Sequence, residues 1–263
     1  MKLGIVGSNG FVGSNLLRYF SNIYNTVGIT RNTVDILDCN SLRQYLSKEK
    51  FDCIIIAAST MQNDMSDINN NFGLMKNFLQ NKDLFHKLIN TGSGAELDRQ
   101  RDLYLAPETD LFKVLPEDYY GLSQNLRSRL CVNNNFYNLR IFNCFGFGEI
   151  KTRIFPKILE SDKPFTIVDD RYFDYFSIHD LCVVVEHFLT NDPSITDVNC
   201  VYETKLLISE VVKKFNDIHN LQKEILVQNR SPRNYTGDYK NLASLNLNLQ
   251  GLESGLKNYF KQI

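Results

Sequence analysis

Short, continuously apolar runs alternate with stretches of helical apolar spacing through the first half of the chain. A run without polar positions is typical of a parallel strand that is buried on both faces. The pattern predicts such strands at residues 2–6, 26–30, 51–58, 84–90 and 135–142. It predicts helices from residue 14, over 41–48, over 68–80 and from 117 onward. This alternation indicates an α/β fold, a doubly wound parallel sheet of the Rossmann type.

The pattern changes after Gly148, where the elements become shorter. Further helices are predicted at 154–159, 179–189, 209–215 and 251–260, and strands at 165–168 and 198–201. We therefore divide the chain into a Rossmann domain, residues 1–148, and a small C-terminal lobe, residues 149–263, interleaved with it and returning some elements to the sheet. Because ligands bind above the carboxyl ends of the strands in such folds, the lobe is expected to form a wall of a substrate cleft.

Three glycines follow the first strand at intervals of three: Gly7, Gly10 and Gly13. Glycine lets the backbone turn tightly and approach a ligand without a Cβ in the way. The helix that follows offers unpaired N–H groups and a positive dipole end to a phosphate. This order predicts a site for a dinucleotide such as NAD(P); the alternative is a tight strand-to-helix turn that binds nothing. The other residues of the predicted loop are Asn9, Phe11 and Val12.

The second predicted strand ends in Thr30, Arg31 and Asn32. In dinucleotide folds this end faces the adenosine ribose, where an acidic residue accepts a hydrogen bond from the 2′-hydroxyl of NAD. A guanidinium group suits a 2′-phosphate instead. We therefore expect NADP(H) as the preferred cofactor, with NAD(H) as the alternative. The opposing interpretation is that Arg31 is an ordinary solvated arginine.

The composition argues against several classes of function. A formal net charge of −1 provides no electrostatic basis for binding nucleic acid or an anionic membrane. No apolar run approaches the length of a membrane span, and no signal peptide is recognised before the first strand. The six cysteines are scattered singly without metal-ligand spacing, so no metal site is predicted. These features are typical of a cytoplasmic protein with reduced thiols.

Several further short motifs follow the glycine loop along the chain, and their order is informative. They are Asp35-Ile36, Ala57-Ala58, and segments 70–73, 120–123, 140–146 and 173–181. With the glycine loop and these motifs the chain resembles the extended short-chain dehydrogenase/reductase family, the NAD-dependent epimerases and dehydratases that modify nucleotide-diphosphate sugars. Within that family, residues 30–38 are most similar to NADPH-using reductases of 4-keto-6-deoxy sugars, such as the GDP-fucose synthases.

The resemblance implies roles for individual residues around the cofactor. Asp35-Ile36 matches the family's adenine contact, and Ala57-Ala58 matches the strand end that runs beside the cofactor. Ser93 stands where the family keeps a hydroxyl that polarises the substrate carbonyl. Tyr120 stands where it keeps the proton donor. The ordinary interpretations are a turn serine and a half-buried packing tyrosine.

The resemblance also implies a substrate side. Asn143 matches the family residue that hydrogen-bonds the diphosphate. Arg153 and Arg171 are further candidates because guanidinium groups bind phosphate bidentately; surface charge is the alternative for each. By analogy with relatives that pair through helices, a homodimer is expected.

The main departure from the family lies one helical turn after Tyr120, where Gln124 replaces the usual lysine. A cation about 4 Å away is worth about 4 kcal/mol at an effective dielectric constant of about 20, or about three pKa units. Gln124 offers a hydrogen bond to the ribose but no charge. Arg127 lies about 10 Å along the helix axis from Tyr120 and is expected on a solvated face.

Two hypotheses follow. In the first, the protein is an NADP(H)-dependent reductase or epimerase of a nucleotide-diphosphate sugar, with hydride from the nicotinamide and a proton from Tyr120. Ala95 and Arg153 occupy the positions of the cysteine and histidine that perform 3,5-epimerisation in relatives, which leaves 4-reduction, 4-epimerisation and dehydration open. In the second, the protein is a catalytically weak or inactive homologue that binds NADP and a sugar nucleotide without turnover.

Overall fold

The alternation of apolar runs and amphipathic segments produces a layered α/β structure. The computed structural model describes residues 1–162 and 164–263. The strands are β1 (Lys2–Val6), β2 (Asn25–Ile29), β3 (Cys53–Ile56), β4 (Lys87–Ser93), β5 (Leu103–Ala106), β6 (Tyr137–Ile141), β7 (Cys144–Phe145), β8 (Phe165–Asp170), β9 (Phe176–Ser177), β10 (Asp197–Cys200), β11 (Ile225–Arg230) and β12 (Tyr235–Gly237). The helices are α1 (Phe11–Ser21), α2 (Cys39–Glu49), α3 (Met65–Asp67), α4 (Gly73–Gln80), α5 (Tyr119–Asn133), α6 (Ile154–Glu160), α7 (Ile178–Thr190), α8 (Ile208–Ile218), α9 (Lys240–Ser244) and α10 (Gly251–Lys257).

A central sheet joins six strands of the described chain in the order β10-β6-β4-β3-β1-β2, all of them parallel. The order reverses at β1, because the chain runs outward to β2 on one side and to β3 and β4 on the other. At such a reversal the loops diverge and leave a crevice above the carboxyl ends of the strands. The prediction of a doubly wound, Rossmann-type parallel sheet is confirmed.

Each face of the sheet carries its own apolar core. Leu16 and Phe20 of α1 pack with α7 side chains such as Val185 against one face. Leu46 of α2 and Phe78 of α4 pack against the other. Burial on both faces explains why the strands read as continuous apolar runs.

The residues after 148 build a third core and extend the sheet. Phe155 of α6 and Phe215 of α8 lie at its centre, with ring centroids 4.6 Å apart. β8 pairs with β11 beside this core, whereas β10 returns to the central sheet and pairs with β6. The boundary between residues 148 and 149 stays a prediction.

Several elements differ from the sequence pattern. The strand predicted at 84–90 begins and ends later, at Lys87–Ser93, and residues 82–84 before it form a 3-10 turn. Its last three residues, Thr91, Gly92 and Ser93, were not predicted because they are small and not part of the apolar run. The helix expected over 68–80 contains a π-helical turn, Ile68–Phe72, before α4. β5, β7, β9 and β12 were not predicted because they have four residues or fewer, and β11 was not predicted because polar residues interrupt it.

Membrane and metal features are missing from the described residues. Across 1–162 and 164–263, no helix has both the length and the apolar character needed to cross a bilayer. The same residues hold no cluster of three His, Cys, Asp or Glu side chains suited to a metal ion. The six cysteines are free thiols, and five of them are buried: Cys53, Cys131, Cys144, Cys182 and Cys200.

A buried polar network connects β4, β6, β10 and the loop after β4. Arg140 of β6 is fully buried; its Nε donates to Glu96, and its Nη2 donates to Asp197 over 2.8 Å. Asn138 donates to the same two carboxylates, at 2.9 Å from Asp197 and 3.1 Å from Glu96. Burial raises the pKa of Glu96, and the charge of Arg140 opposes that shift. Because Glu96 lies just beyond Ser93, the network fixes the loop that carries this serine.

Replacing Arg140 with methionine should lower the free energy of unfolding by about 3–5 kcal/mol, because two carboxylates stay buried without their cation. Urea denaturation followed by circular dichroism measures the change. Lys257→Met is the control, since it removes only an exposed pair with Glu253, one turn away on α10 at 2.8 Å, and should leave the midpoint unchanged. Equal losses in both variants would contradict this account.

Candidate functional site

A cleft of about 780 Å³ opens above the carboxyl ends of β1, β2 and β3, at the reversal of strand order. Most of the predicted cofactor residues line it: Gly7, Asn9, Gly10, Arg31, Asp35, Ile36, Ala57 and Ala58. The other predicted residues, Phe11, Val12 and Gly13, are the first three residues of α1. Residues from the π-helical turn and its neighbourhood, which were not predicted as cofactor contacts, also line the cleft: Ser59, Thr60, Asn70 and Asn71.

The glycine loop has no space for a side chain at two of its three positions. Gly7 has a φ of +80°, and a Cβ there would lie 2.7 Å from the Cα of Ala58. A Cβ on Gly13 would collide with the carbonyl oxygen of Gly7, whereas one on Gly10 would lie at an ordinary 3.4 Å from it. α1 begins after Gly10 without a side-chain cap, so its first N–H groups remain available to an anion. This cradle fits the pyrophosphate of a dinucleotide.

The end of the cleft at β2 is polar and open. Arg31 is exposed there and makes no hydrogen bond or ion pair with another described residue. Asp35 is also exposed, and its carboxylate accepts a hydrogen bond from the backbone N–H of Leu37 at 2.9 Å. Ile36 is half-buried and lines the same part of the cleft. This end therefore offers a free guanidinium group and an apolar surface to a ligand.

The three predicted catalytic residues lie at the end of β4 and the start of α5. Ser93 is the last residue of β4, and its hydroxyl accepts a hydrogen bond from the N–H of Ala95 at 3.2 Å. Tyr120 is half-buried in the first turn of α5, which Asp118 caps. Gln124 is 1% exposed, and its amide nitrogen is buried without a hydrogen-bond partner. An unsatisfied buried donor is costly, and a ligand that accepts from it would remove the cost.

A further tyrosine, Tyr235 of β12, joins this group and was missed by sequence analysis. Its side chain is 8% exposed, and a Cβ on Gly94 would lie 2.7 Å from its hydroxyl oxygen. Burial raises the pKa of Tyr235, the neighbouring Tyr120 hydroxyl adds to that rise, and a hydrogen bond with Ser93 opposes it. Tyr235 therefore lies beside both Ser93 and Tyr120 as a protonated hydroxyl. No local motif marks this position, since an unpredicted strand brings it there.

Arg127 does not lie on a solvated face, so that expectation was wrong. It is fully buried against the end of β3 and the middle of β4. Its Nε donates to Asn90 at 2.6 Å, its Nη1 to the carbonyl of Ala58 at 2.7 Å and its Nη2 to the carbonyl of Ile56 at 3.3 Å. α5 turns a polar face towards the sheet, and apolar periodicity therefore could not reveal this burial.

The π-helical turn connects the cleft to α5. Asn71 in this turn is fully buried, accepts from the N–H of Thr60 at 2.8 Å and donates to its carbonyl at 2.9 Å. The same amide donates to the hydroxyl of Ser123 on α5 at 3.0 Å. π-helical turns frequently occur at functional sites. Here the turn holds the first part of α5 directly beside the cleft.

The predicted substrate residues follow β6, where the chain passes into its second half. Asn143 is buried and accepts a hydrogen bond from Arg153. The guanidinium carbon of Arg171 lies 5.4 Å from the ring of Phe173, and its Nε is buried without a partner. Burial raises the pKa of Tyr175, and the charges of both arginines oppose the rise. Both guanidinium groups therefore act on one region around Tyr175.

Glu149 brings a carboxylate to the same region. Burial raises its pKa to about 7, opposed by a hydrogen bond from Tyr259 at 3.0 Å and by the charge of Arg153. Its other oxygen is buried without a partner. The group is therefore poised to change charge near neutral pH.

A sequence model of the NAD dependent epimerase/dehydratase family matches residues 3–200. The chain belongs to this family. Membership confirms the resemblance drawn from the motifs, and with it the expectation of an enzyme that uses a nicotinamide cofactor. No curated protein sequence matches the chain.

Solved structures of similar fold cover almost the whole chain. A GDP-mannoheptose C4 reductase from Campylobacter jejuni with NADP bound is 20% identical, with a TM-score of 0.82 over 99% of this chain and 97% of its own. A dTDP-4-dehydrorhamnose reductase from Clostridium acetobutylicum is 14% identical, with a TM-score of 0.84 over 98% of each chain. A dTDP-glucose 4,6-dehydratase from Bacillus anthracis in complex with NAD is 15% identical, with a TM-score of 0.82 over 100% and 96%. At these identities the likeness establishes the fold.

Glu149→Gln should remove a pH dependence of stability. Since the folded chain binds the Glu149 proton more tightly than the unfolded chain does, the free energy of unfolding should fall as pH rises from the ordinary value of 4.5 to about 7. The variant should therefore be more stable than the native chain at pH values above about 7 and lose that advantage in acid.

Urea denaturation of both chains across this range measures the difference. Glu253→Gln is the control, because Lys257 lowers the pKa of that exposed carboxyl and its removal cannot stabilise the protein in alkali. A gain for Glu149→Gln that is equal at acid and neutral pH would contradict the titration.

Proposed function

We propose that the protein is an NADP(H)-dependent reductase of a nucleotide-diphosphate sugar, with a 4-keto-6-deoxy sugar as the expected substrate. The observation that carries this proposal is the grouping of Ser93, Tyr120 and Tyr235 beside the dinucleotide cleft. Asn71 lines the cleft and bonds to α5, so the tyrosine at the start of that helix lies next to the cofactor space.

The cofactor would supply a hydride to the carbonyl carbon of the sugar. Tyr120 would give its hydroxyl proton to the carbonyl oxygen, which completes the alcohol. Ser93 would donate a second hydrogen bond to the same oxygen and polarise the carbonyl. Tyr235 remains protonated because burial raises its pKa, so it can donate to Ser93 and keep that hydroxyl directed at the substrate.

The second half of the chain would bind the nucleotide part of the substrate. In this proposal residues 149–263 form the substrate lobe, Asn143 and Arg153 bind the diphosphate, and Arg171 supplies a further guanidinium group. The unpartnered Nε of Arg171 supports this role, because a phosphate oxygen would satisfy it. The similar structures include reductases of GDP- and dTDP-linked sugars, which supports the substrate class.

The neutral Gln124 favours a second candidate function. Gln124 places no positive charge beside Tyr120, and in this alternative the protein binds NADP and a sugar nucleotide without turnover. Redox-neutral 4-epimerisation is a further alternative within the family. Ala95 and Arg153 offer no proton shuttle for 3,5-epimerisation, so that reaction is not proposed.

The preference for NADP(H) depends on Arg31. Arg31→Ala should weaken NADPH binding about 10- to 100-fold, because hydrogen bonds to charged groups contribute about 1.5–3 kcal/mol, and should leave NADH binding unchanged. Titration of cofactor fluorescence measures both constants in the same variant. If the variant loses both cofactors equally, Arg31 does not recognise the 2′-phosphate.

The reductase proposal is tested by the loss of NADPH absorbance in single turnovers with a panel of nucleotide-linked 4-keto-6-deoxy sugars. The native chain should oxidise NADPH, and Tyr120→Phe should slow it by about 100-fold or more, the usual contribution of a general acid. Tyr119→Phe is the matched control, since this neighbour is 42% exposed, and it should retain the native rate.

If the native chain binds NADPH but does not consume it, the reductase proposal fails and the binding role replaces it. If the sugar changes configuration without net consumption of NADPH, the protein is an epimerase. Equal losses in the two tyrosine variants would remove Tyr120 from its role.

A further inference from the structure

The buried guanidinium group of Arg127 has direct partners that are all neutral. It donates to the amide oxygen of Asn90 and to two backbone carbonyls, and it forms no ion pair with a described residue. Glu96 reaches it only through Asn90 and Asn138, which bond to one another at 2.7 Å. A cation buried without a direct counter-charge is costly, and burial accordingly lowers the pKa of Arg127 to about 10. Packing alone therefore does not explain this arginine.

Arg127 lies directly behind the cofactor cleft. The carbonyl of Ala58, which accepts its shortest backbone hydrogen bond, belongs to a residue that lines the cofactor cleft. On α5, Arg127 follows Gln124 by one turn and Tyr120 by two. Helical side chains lean towards the N-terminus of their helix, so this long side chain reaches back towards both. Tyr120, Cys131 and Glu96 would each, when ionised, oppose the fall in the pKa of Arg127, and Tyr120 has the largest effect of the three.

We propose that Arg127 supplies the positive charge that stabilises the tyrosinate of Tyr120, and that Gln124 supplies only a neutral hydrogen bond to the cofactor ribose. The two tasks that a lysine would combine are then divided between neighbouring turns of α5. Arg127 acts through Tyr120 without touching the substrate and is therefore a positioning residue. This inference rests on the proposed function for the role of Tyr120.

A second cation, Arg99, lies near Tyr120 but is a weaker candidate. Its guanidinium carbon is 5.5 Å from the centre of the tyrosine ring. It is paired with Asp118 at 2.9 Å, and its side chain is 38% exposed. Its charge is therefore compensated by a carboxylate and screened by solvent, which leaves the buried charge of Arg127 as the stronger influence.

The other titratable groups of this region are accounted for in the test. The groups that face Arg127 and Tyr120 from the packed elements are Glu96 from the loop after β4, Arg99, Asp118, Cys131 of α5 and Tyr235 of β12. Cys131 and Tyr235 have raised pKa values through burial and stay neutral, and Glu96 is paired with Arg140. Arg127 is thus the uncompensated charge among these described groups.

The experiment is an alkaline titration of phenolate absorbance on the ligand-free chain. Each variant is measured against its own Tyr120→Phe version, so the difference reports one of the 13 tyrosines. Arg127→Met should move the midpoint of this difference upward by about one pH unit or more, a tenfold change in proton affinity, because the tyrosinate loses its cation. Arg129→Met is the matched control and should leave the midpoint unchanged. Arg129 lies on the same helix and also donates to backbone carbonyls, but its acceptors, Leu111 and Val114, do not line the cleft.

Charge rescue distinguishes a missing cation from damaged packing. Gln124→Lys in the Arg127→Met background should return the midpoint to the native value. Arg127→Lys keeps the charge while losing part of the fork of hydrogen bonds, so it should hold the native midpoint even if Arg127→Met does not fold. In turnover, Arg127→Met should lower kcat about tenfold at little change in KM, with the loss reversed by Gln124→Lys.

The inference is overturned if Arg127→Met leaves the midpoint in place, if Arg127→Lys raises it, or if Arg99→Met moves it as far. The titration needs neither substrate nor turnover. If Arg127→Met shifts the midpoint but the native chain never reduces a sugar, the proposed function is wrong and the role of Arg127 is supported. If the native chain reduces a sugar but the midpoint does not move, the proposed function is supported and the role of Arg127 is wrong.

Discussion

The buried ion pair between Arg140 and Glu96 is the interaction on which the arrangement of the site depends. It joins β6 to the loop that follows β4, and through Asp197 it also holds the edge strand β10. Ser128 of α5 donates to Glu96, so the helix that carries Tyr120 is attached to the same carboxylate. Strand end, loop and helix are therefore positioned by one set of hydrogen-bonded charges.

This polar network makes the part of the sheet beneath the site different from the rest. Elsewhere its faces are covered by apolar side chains, whose contacts are not directional. Under the site, amides and charged groups meet at fixed angles and distances, which orients dipoles before any ligand arrives. The amide nitrogen of Gln124 is buried without a hydrogen-bond partner, and the guanidinium group of Arg127 has only neutral partners. Both lie along α5, on the side of the cleft.

The sequence predicted the features that depend on neighbouring residues in the chain, namely the buried strands and the glycine loop. Buried parallel strands read as apolar runs, and the glycine loop is required by a left-handed φ at Gly7 and by the close approach of Ala58. The burial of Arg127 could not be predicted, because its acceptors come from strands far back in the chain and its helix shows no apolar stripe. Tyr235 could not be predicted for a similar reason, because it reaches the site on a short strand from the second half of the chain.

The spacing of the ion pairs has a consequence for how the chain is made. Arg140 meets Glu96, 44 residues before it, and Asp197, 57 residues after it. As the polypeptide leaves the ribosome, β6 emerges while its outer neighbour β10 does not yet exist. The nascent sheet then has an open edge and an arginine with only one of its carboxylates. Once residues 197–200 are translated, β10 pairs with β6 and Asp197 bonds to Arg140, so the hydrogen-bonded network beneath Ser93 is complete only after most of the chain has been translated.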